Sequence, residues 1–401
     1  MTGGYIYDKL NSDIEIGWLF YVIILVIIPI LANARIIEVG PSKSYKKPSA
    51  AAKVAKDGDH IQIDMAIYEN DVAIWRQNNL FIYGENGRPH IRVNGVTAEG
   101  KGIWVIKGNN TKIANIEFSG ARVRDKNGAG IRQEGANLKV FGCYFHDNEN
   151  GILAGENPKS EIVIERSVFS NNGAGDGQSH NIYIGRVHRF ILQFCYVHHA
   201  LIGHNVKSRA MENYILYNRL MDETSGSSSY IVDLPNGGTS FLIGNIIQQG
   251  PNAENYIVIS YAAEGSENVT KGFYLVNNTL VNDRGSGIYL RNMSKSTSAK
   301  IINNIFYGPN YKVLEGSGQT MNNLILKKRK VMTILNKKPG FVNDAIYDYR
   351  LMSNSPAINA GIQPGNVNGF SLLPKWHYIH IARKEKRKIV NKIDIGAYEF
   401  Y

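Results

Sequence analysis

The sequence has few cysteines, few prolines and few patterns of a long amphipathic helix. It contains only two cysteines and twelve prolines among 401 residues, which excludes a disulfide-rich scaffold and a proline-rich or collagen-like chain. Long amphipathic helical patterns are nearly absent, which argues against a helical bundle. In contrast, the chain has 40 glycines and 23 tyrosines, together with many asparagines. This composition is typical of an ordered, turn-rich β protein.

The chain also lacks an apolar run long enough for an ordinary membrane span. The segment Trp18–Leu31 carries no charge but is shorter than the ~20 residues of a spanning helix. Its length, and the small residues Ala32 and Ala34 after it, are typical of a secretory signal. The residues before it are more acidic than basic, so retention as an anchor stays open. We predict an exported protein, periplasmic or extracellular, or one that is anchored to the membrane at its N-terminus.

A sequence repeat explains the many asparagines. The pattern apolar-x-x-[Asn/Cys/Ser]-x-apolar recurs at intervals of roughly 23 to 33 residues, a length typical of one coil of a parallel β-helix. Strands of successive coils stack ~4.8 Å apart, so a polar residue at one fixed corner can form a hydrogen-bonded ladder. The polar landmarks are Asn115, Cys143, Ser167, Cys195, Asn218, Asn245, Asn278 and Asn304. Because the two cysteines lie two coils or ~9.6 Å apart, we predict buried free thiols.

Over residues 35–325 the chain resembles the right-handed parallel β-helix proteins of the pectate-lyase-like superfamily. The resemblance rests on the coil pattern and on the sequence ARIIEVGPSKSYKKPSAAAKVAKDGDHIQI before the first coils. It implies an all-β, single-stranded right-handed parallel β-helix, a solenoid whose N-terminal end is capped by a helix over 48–55. The segments SPAINAG (355–361) and DIGAYEF (394–400) are similar to the closing segment of many exported bacterial β-helix proteins.

We therefore predict three segments: residues 1–34 as signal peptide or N-terminal membrane anchor, 35–325 as the β-helix, and 326–401 as an irregular C-terminal segment. The net charge is +11, and most of the surplus lies in this basic tail, in runs typical of solvated surface. The tail is expected to cap the last coil, to pack along its side or to contact an anionic surface. We expect a monomer that binds acidic polysaccharide and no nucleic acid, with membrane or cell-surface association as an alternative.

Period-two alternation of side chains places a polar patch on one outer face of the predicted solenoid. If Val206 faces the core, Lys207 and Arg209 point outward. The same alternation in the neighbouring coils turns Tyr183 and Asp233 outward. Adjacent coils would then bring these four polar side chains together on the surface.

Five further residues are candidates for binding a substrate at this face. Asn181 and Asn205 share the outward parity, and His204 precedes Asn205 on the inward parity. A later coil adds Tyr261 and Glu264. Glycine- and serine-rich turns beside these strands are suited to forming the rim of a groove.

The patch contains the groups that remove the weakly acidic proton beside a uronic acid carboxylate. This reaction needs a cation to neutralise the carboxylate, a base, and an acid for the leaving oxygen. We assign Lys207 as the base, Arg209 as the cation, and Tyr183 or His180 as the proton donor. The charge of Arg209 would favour the neutral amine of Lys207, whereas the charge of Asp233 would favour its ammonium form. The protonation state of Lys207 is therefore open. The base role also requires that Lys207 reaches a groove.

Two family likenesses point to the same coils. The run NVKSRAMENYILYNRL (205–220) is similar to the lysine-bearing coil of the alginate and dermatan β-helix lyases, which implies that Lys207 is the base of a β-elimination. Where those enzymes carry acidic calcium ligands before the lysine, this chain has Gly203 and His204. We therefore predict no cofactor, with calcium binding as an alternative that no ligand motif supports. The stretch GDGQSHN (175–181) is similar to the Asp-x-His stretch of mannuronan epimerases, which also abstract a proton.

Histidines cluster in the same region, and a zinc site is one interpretation of such a cluster. The spacing matches no zinc motif, so we interpret them as partly buried strand histidines that are hydrogen-bonded at turns. The five residues are His180, His188, His198, His199 and His204.

Three functions remain open. The leading prediction is an exported lyase or epimerase for a uronic-acid-containing polymer. The second is a non-catalytic carbohydrate-binding or surface-attachment solenoid, with Tyr183 and Tyr261 as stacking platforms. The third is hydrolysis, which requires two carboxyl groups ~5–9.5 Å apart in a groove. The patch also has a purely structural interpretation, as cross-strand pairs that keep the outer sheet soluble.

Overall fold

A computed structural model describes residues 34–327 and 339–401. The predicted signal or anchor segment lies, except for its last residue, outside the described residues, as do residues 328–338 with most of one basic run. Within the two described ranges, no helix is both long and apolar enough to cross a membrane.

Three parallel sheets, named A, B and C, form the body of the molecule, and from His60 onward the chain visits them in that order in each coil. Sheet A consists of Ile36–Val39, His60–Asp64, Phe81–Glu85, Thr111–Ala114, Leu138–Phe141, Asn157–Glu165, Val187–Gln193, Glu212–Leu216, Thr239–Ile243, Gly272–Val276, Ala299–Ile302 and Gly318–Met321. Sheet B consists of Ile67–Glu69, His90–Arg92, Glu117–Ser119, Tyr144–His146, Val168–Ser170, Tyr196–His198, Arg219–Met221, Ile246–Gln249, Thr279–Asn282, Ile305–Gly308 and Leu324–Lys327. Sheet C consists of Ala73–Trp75, Gly102–Ile106, Ala129–Gln133, Asn150–Ala154, Ile182–Ile184, Val206–Ser208, Val232–Leu234, Ile257–Tyr261, Gly287–Asn292 and Tyr311–Gly316.

Rows of aliphatic and aromatic side chains fill the space between the sheets. Since side chains alternate along each strand, every coil contributes one inward residue at the same register position. In sheet B three successive phenylalanines stack with ring centroids 5.1 and 4.7 Å apart. In sheet C the inward row is fully buried and consists of Ile131, Ile152, Ile182, Val206, Val232, Ile259 and Leu290. The architecture is the predicted parallel β-helix.

The predicted ladder of asparagines is present at the corner between sheets A and B. Each side-chain amide donates to the amide oxygen of the next coil over 2.9–3.0 Å. Its members are Asn218, Asn245, Asn278, Asn304 and Asn323. The ladder satisfies the buried polar groups that a sharp turn leaves in every coil.

Cysteine and serine occupy the same corner in the earlier coils. The amide of Cys143 donates to Ser167 Oγ over 3.2 Å, and that of Cys195 to Asn218 Oδ1 over 2.9 Å. Both thiols are buried and free, as predicted, and burial raises the pKa of Cys143 to about 12. The first landmark is shifted by one residue, because Ile116 rather than Asn115 aligns with Cys143.

The helix Pro48–Val54 covers the N-terminal end of the stack, one residue shorter than predicted. Proline at its first position is pre-organised for helical φ and lacks only a hydrogen that the helix leaves unpaired. Ala51 and Ala52 are buried against the first coil. The apolar core is thus shielded at an end where strands would otherwise be exposed to pairing.

The C-terminal tail packs along the side of the solenoid. It contains three antiparallel hairpins and one short 3₁₀ helix: Phe341–Asn343 with Asp348–Leu351, Asp344–Ile346, Asn366–Val367 with Phe370–Ser371, and Trp376–Ile379 with Arg383–Lys386. Its apolar residues join two buried clusters, one with side chains of sheet B and one with side chains of sheet A. Among the described residues neither cluster includes a side chain of sheet C. The outer face of sheet C is therefore the long face that the tail leaves open.

Candidate active site

The outer face of sheet C carries a row of polar side chains at one register position. Tyr183 pairs with Lys207, Lys207 with Asp233, and Asp233 with Ser260. Equivalent positions of neighbouring strands lie ~4.8 Å apart, so these side chains form one continuous patch. The placement of Tyr183, Lys207 and Asp233 predicted from alternation is confirmed.

Arg209, two residues after Lys207, is the centre of a hydrogen-bonded group. Its Nε donates to Tyr183 Oη over 3.1 Å, and its Nη1 donates to Asn236 Oδ1 over 2.6 Å. Its Nη2 lies 2.7 Å from Glu264 Oε2. Burial alone would lower the pKa of Arg209, but the hydrogen bonds to Tyr183 and Glu264 raise it above its ordinary value. The guanidinium is therefore charged and fixed in direction.

Tyr183 and Arg209 form part of the wall of an open cleft of about 540 Å³. Three arginines and three glutamates contribute to this cleft, so its charges are mixed rather than uniformly basic. The lining residues are Asn127, Arg132, Leu153, Ala154, Gly155, Glu156, Tyr183, Gly185, Arg186, Arg209, Asn236, Glu264 and Glu267. A cleft of this size can hold a short stretch of a sugar polymer.

Lys207 lies behind this wall and does not line the cleft. Its Nζ is 3.6 Å from Asp233 Oδ2 and 3.5 Å from Glu264 Oε1, and the side chain is 13% exposed. It also lies 5.7 Å from the centre of the Tyr183 ring. The amine of Lys207 is thus engaged by two carboxylates and does not form part of this cleft.

The two carboxylates on either side of Lys207 differ in their environments. Burial, opposed mainly by the attraction of Lys207, raises the pKa of Asp233 to about 6. Burial also acts to raise the pKa of Glu264, but the hydrogen bond from Arg209 and the charge of Lys207 outweigh it and lower that pKa. Because both carboxylates contact one ammonium, they lie within about 7 Å of each other.

His180 and His204 are buried beside the row and are not available to a substrate. Their rings stack 4.6 Å apart, and each Nδ1 accepts a backbone N–H, from His204 and from Tyr230 respectively. Burial lowers the pKa of His180 to about 3 and that of His204 well below its usual range. Gly203 permits this stacking, since a Cβ there would lie 1.8 Å from the Ser179 carbonyl oxygen. His180 as proton donor and His204 as substrate ligand are therefore corrected to buried, neutral side chains.

Asn181 and Asn205 were predicted to face outward, and this placement is wrong. Both are fully buried in a second amide ladder, which lies where the chain enters the strands of sheet C. Asn172 donates to Asn181 over 2.8 Å, Asn181 to Asn205 over 2.7 Å, and Asn205 to Asp222 over 3.2 Å. The chain turns just before each strand, so the alternation that holds within the strand does not extend back to these residues.

Asp222, at the end of this second ladder, is expected to give a pH-dependent contribution to stability. Burial, opposed first by hydrogen bonding from Ser228, raises the pKa of Asp222 to about 6. A carboxyl group whose pKa is raised on folding stabilises the fold fully below its unfolded pKa, and this stabilisation is lost as pH rises through the folded value. We expect the free energy of unfolding of the wild type, relative to Asp222→Asn, to fall by roughly 2 kcal/mol between pH 4 and pH 6.5.

Guanidinium unfolding of both proteins at a series of pH values measures this difference. Asp125→Asn, at an exposed position, is the control and should show a nearly constant difference from the wild type. A difference for Asp222→Asn that does not change with pH would contradict the assignment.

Tyr261 was also predicted on the outer face, and the structure places it inside. It is 1% exposed, and its hydroxyl donates to the Gly238 carbonyl oxygen over 2.7 Å. Its strand has Ile259 inward, so Tyr261, two residues on, shares the inward parity. It cannot act as a stacking platform for a sugar. Glu264, in the following turn, does reach the cleft as predicted.

The predicted histidine cluster does not converge. His188 is exposed on sheet A, His198 lies on sheet B, and His180 and His204 lie beside sheet C. His199 contacts His198, with their Nδ1 atoms 2.6 Å apart. Within residues 34–327 and 339–401, these five do not form a group of three metal-binding side chains.

Comparison with known proteins bears on the fold. A family model described as "Right handed beta helix region" matches residues 57–179. The fold is a right-handed parallel β-helix. Comparison with curated proteins gave no match.

One solved structure extends this result over most of the chain, and two others match with lower TM-scores. The crystal structure of pectate lyase Pel9A is similar to this right-handed β-helix with a TM-score of 0.59 and 13% identity, over 91% of this chain and 96% of that one. ORF18 of Geobacillus virus E2 gives a TM-score of 0.40 and 10% identity, over 67% and 54% of the two chains. The pectin methylesterase from Aspergillus niger gives 0.34 and 10%, over 74% and 91%. At these identities the likeness is one of fold.

Several cleft residues of the β-helix were not found from the sequence. Arg132 stands in the same register row as Tyr183, two coils earlier, so counting back two more coils would have found it. Arg186 and Glu156 lie just beyond the ends of sheet C strands, where alternation gives no signal. Asn236 lies in the glycine-containing turn after Val232–Leu234, where alternation also gives no signal.

Proposed function

We propose that this protein acts on an acidic polysaccharide by removing the proton beside a uronate carboxylate, in a β-elimination or an epimerisation. The observation that carries the proposal is the Tyr183–Arg209 pair at the wall of a cleft that also contains Arg132 and Arg186. A hydroxyl next to a guanidinium is suited to proton transfer beside a bound carboxylate. The similarity in fold to a structure named as a pectate lyase supports the polysaccharide class.

Two arginines of the cleft are available to bind the carboxylate of a substrate. Within the described part of the chain, the guanidinium of Arg186 has no ion pair or hydrogen bond. Arg132 Nε is buried without a hydrogen bond and lies 3.8 Å from Glu134 Oε1. A planar guanidinium can bind a carboxylate through two parallel hydrogen bonds. We assign substrate carboxylate binding to Arg132 and Arg186, and we assign to Arg209 the positioning of Tyr183.

Tyr183 is the proton-transfer group in this proposal. Its oxygen accepts from Arg209, which stabilises the phenolate that takes the C5 proton of the uronate. In an elimination, the C5–H electron pair forms the C4–C5 double bond and the C4–O bond breaks. The leaving oxygen then takes the proton from Tyr183, which regenerates the phenolate. In an epimerisation, C5 instead takes a proton from water on its opposite face, and Tyr183 releases the abstracted proton to solvent.

Lys207 has a positioning role here, in place of the base role assigned from its motif. Its Nζ is already held by Asp233 and Glu264, and abstraction of a substrate proton would require both contacts to open. In its present place the ammonium separates two carboxylates and keeps Glu264 oriented towards Arg209. Removal of this charge should displace Arg209 and Tyr183 without removing either group.

Hydrolysis is the second candidate function, and the two carboxylates flanking Lys207 favour it. A raised pKa for Asp233 and a lowered one for Glu264 is the arrangement expected of a general acid and its partner carboxylate. Asp233 is nevertheless 3% exposed and is absent from the cleft wall, so a glycosidic oxygen does not reach it without movement of Lys207. Proton abstraction at Tyr183 requires no such movement.

The test is incubation of the full chain with polygalacturonate, alginate and dermatan sulfate while the ultraviolet absorbance of the new double bond is recorded. We expect a rise on at least one polymer. Lys207→Ala should lower the rate about tenfold, as expected when a group is displaced by a fraction of an ångström. A fall to background in this variant would return the base role to Lys207.

The remaining outcomes separate the other functions. New reducing ends without absorbance would establish hydrolysis. Incorporation of deuterium at C5 in D₂O, seen by NMR, would establish epimerisation. Saturable binding with none of these reactions would leave the non-catalytic solenoid. Access to such polymers fits export, which we propose from the apolar segment Trp18–Leu31.

A further inference from the structure

A second cluster of functional groups lies on the outer face of sheet B, away from the cleft. His90, Glu117 and His146 come from three successive coils and are partly buried, and their candidate ligand atoms all lie within 4.8 Å of one another. Glu117 Oε1 is 3.1 Å from His146 Nε2 and 3.4 Å from His90 Nδ1. Ligands of a tetrahedral zinc ion, with bonds of ~2.0–2.2 Å, lie ~3.4 Å apart. The cluster already has nearly that geometry.

The second nitrogen of each imidazole is held by another group. His146 Nδ1 lies 2.6 Å from Asp147 Oδ2, and His90 Nε2 lies 2.7 Å from Ser119 Oγ. Histidines that bind metals almost always use their other nitrogen in this way, which fixes the ring and its tautomer. The contacts therefore direct His146 Nε2 and His90 Nδ1 towards Glu117.

The hydrogen-bonding pattern within the cluster favours a bound cation. A neutral imidazole has one donor nitrogen and one acceptor nitrogen. If His146 donates from Nδ1 to the Asp147 carboxylate, its Nε2 presents a lone pair to Glu117 Oε1, which is also an acceptor. Two acceptors at 3.1 Å are stabilised when a positive ion binds both. The nearby Arg92 does not fill this role, because Glu69 holds its guanidinium. Arg92 Nε donates to both carboxylate oxygens over 3.0 and 3.2 Å, and its Nη2 also donates to Oε1.

We propose that His90, Glu117 and His146 form a binding site for a divalent transition-metal ion of the zinc type, with Asp147 and Ser119 orienting the two imidazoles. Two nitrogen ligands and one carboxylate suit zinc and its neighbours, whereas calcium and magnesium prefer oxygen ligands alone. Three protein ligands leave a fourth position for water or for a ligand from outside. The ion would join three coils, so its binding should stabilise the fold.

The sequence gives almost no sign of this site. His90 and Glu117 share one register position in neighbouring strands, and His146 lies in the next coil, two residues beyond that position. The ligands are separated by a full coil of sequence each, so no local motif is formed. The site lies on a different sheet from the cleft, and the inference does not depend on the proposed function.

The experiment is a calorimetric titration of the metal-free full chain with ZnCl₂ and, separately, with CaCl₂. We expect one Zn²⁺ per chain, a rise in unfolding temperature with Zn²⁺, and no saturable binding of Ca²⁺. His146→Gln should abolish the Zn²⁺ effect, and Asp147→Asn should weaken binding ~10–100-fold while leaving all three ligands in place.

His188→Gln is the matched control, because His188 is an exposed strand histidine on sheet A. It should bind Zn²⁺ as the wild type does. Co²⁺ in place of Zn²⁺ gives a further readout, since its visible spectrum reports tetrahedral coordination. Absence of saturable Zn²⁺ binding, or unchanged binding in folded His146→Gln, would overturn the proposal.

Discussion

Replacement of Tyr183 by phenylalanine is expected to lower turnover on the preferred polymer by roughly 10²–10⁴-fold, the usual contribution of a positioned proton-transfer group. The ring and its packing stay, so only the hydroxyl that Arg209 holds is lost. Because Arg132 and Arg186 remain to bind the substrate carboxylate, KM should change little. The loss should therefore appear in kcat.

Tyr256→Phe is the matched control for this prediction. Tyr256 accepts a hydrogen bond from Arg291 Nη2 over 2.7 Å and has the guanidinium 5.2 Å above its ring. It thus has an arginine partner of the same kind, but it lies outside the cleft. Its substitution should leave kcat within about twofold of the wild type. Equal effects of the two substitutions, or a Tyr183→Phe enzyme of normal rate, would contradict the assignment.

The parts of the fold that repeat could be predicted from sequence. Stacking forces every coil to place the same kind of residue at the same corner, so Asn218, Asn245 and Asn278 mark the register without knowledge of the structure. The same periodicity placed Tyr183 and Lys207 next to each other, because alternation is reliable inside a strand.

The placement of site residues predicted from alternation was wrong where the residues lie outside a strand. Asn181 and Asn205 each precede a strand by one residue, in turns where the backbone changes direction, and their amides enter a buried ladder instead of facing solvent. The contacts of Lys207 could not be predicted for a different reason. Alternation gives the direction of a side chain but not its partners, and the two carboxylates that engage Lys207 come from later coils.

The cleft itself depends on groups that the repeat does not describe. Arg186 and Glu156 each lie in a two-residue turn between sheets C and A, and the length of this turn varies among the other coils. Together with Arg132 they line the cleft. The sequence therefore indicates which face bears a polar row, while the shape of the cleft requires the structure.

The largest expected effect on stability lies in the tail. Arg387 and Glu399 form a buried ion pair, with side chains 0% and 1% exposed and Nε 2.8 Å from Oε1. The guanidinium also donates to the carbonyl oxygens of Asp394, Gly396 and Ala397. Removal of one member of such a pair leaves an uncompensated buried charge, so we expect Arg387→Met to cost about 3–5 kcal/mol.

The Arg387–Glu399 ion pair joins two parts of the tail. Its removal should therefore destabilise the tail before the coils. Asp394 accepts hydrogen bonds from the amides of Asn359 and Phe400, so segments 355–361 and 394–400 separate if this region loosens. The tail covers apolar side chains of sheets A and B, but the coils have their own core. We expect Arg387→Met to release the tail to trypsin and to lower the guanidinium midpoint, with the solenoid unfolding later.

Two further variants separate loss of charge compensation from loss of packing. Arg387→Met/Glu399→Met should be closer to the wild type than Arg387→Met, because it leaves no buried charge. Arg350→Met removes a side chain that pairs with Asp348 and is 62% exposed, and it should cost under about 1 kcal/mol.

Burial raises the pKa of Glu399, and loss of Arg387 removes the charge that opposes this rise. Acid should therefore reduce the deficit of Arg387→Met, since a protonated Glu399 needs no counter-charge. A deficit that does not change on acidification would show that the pair stabilises the tail through packing alone.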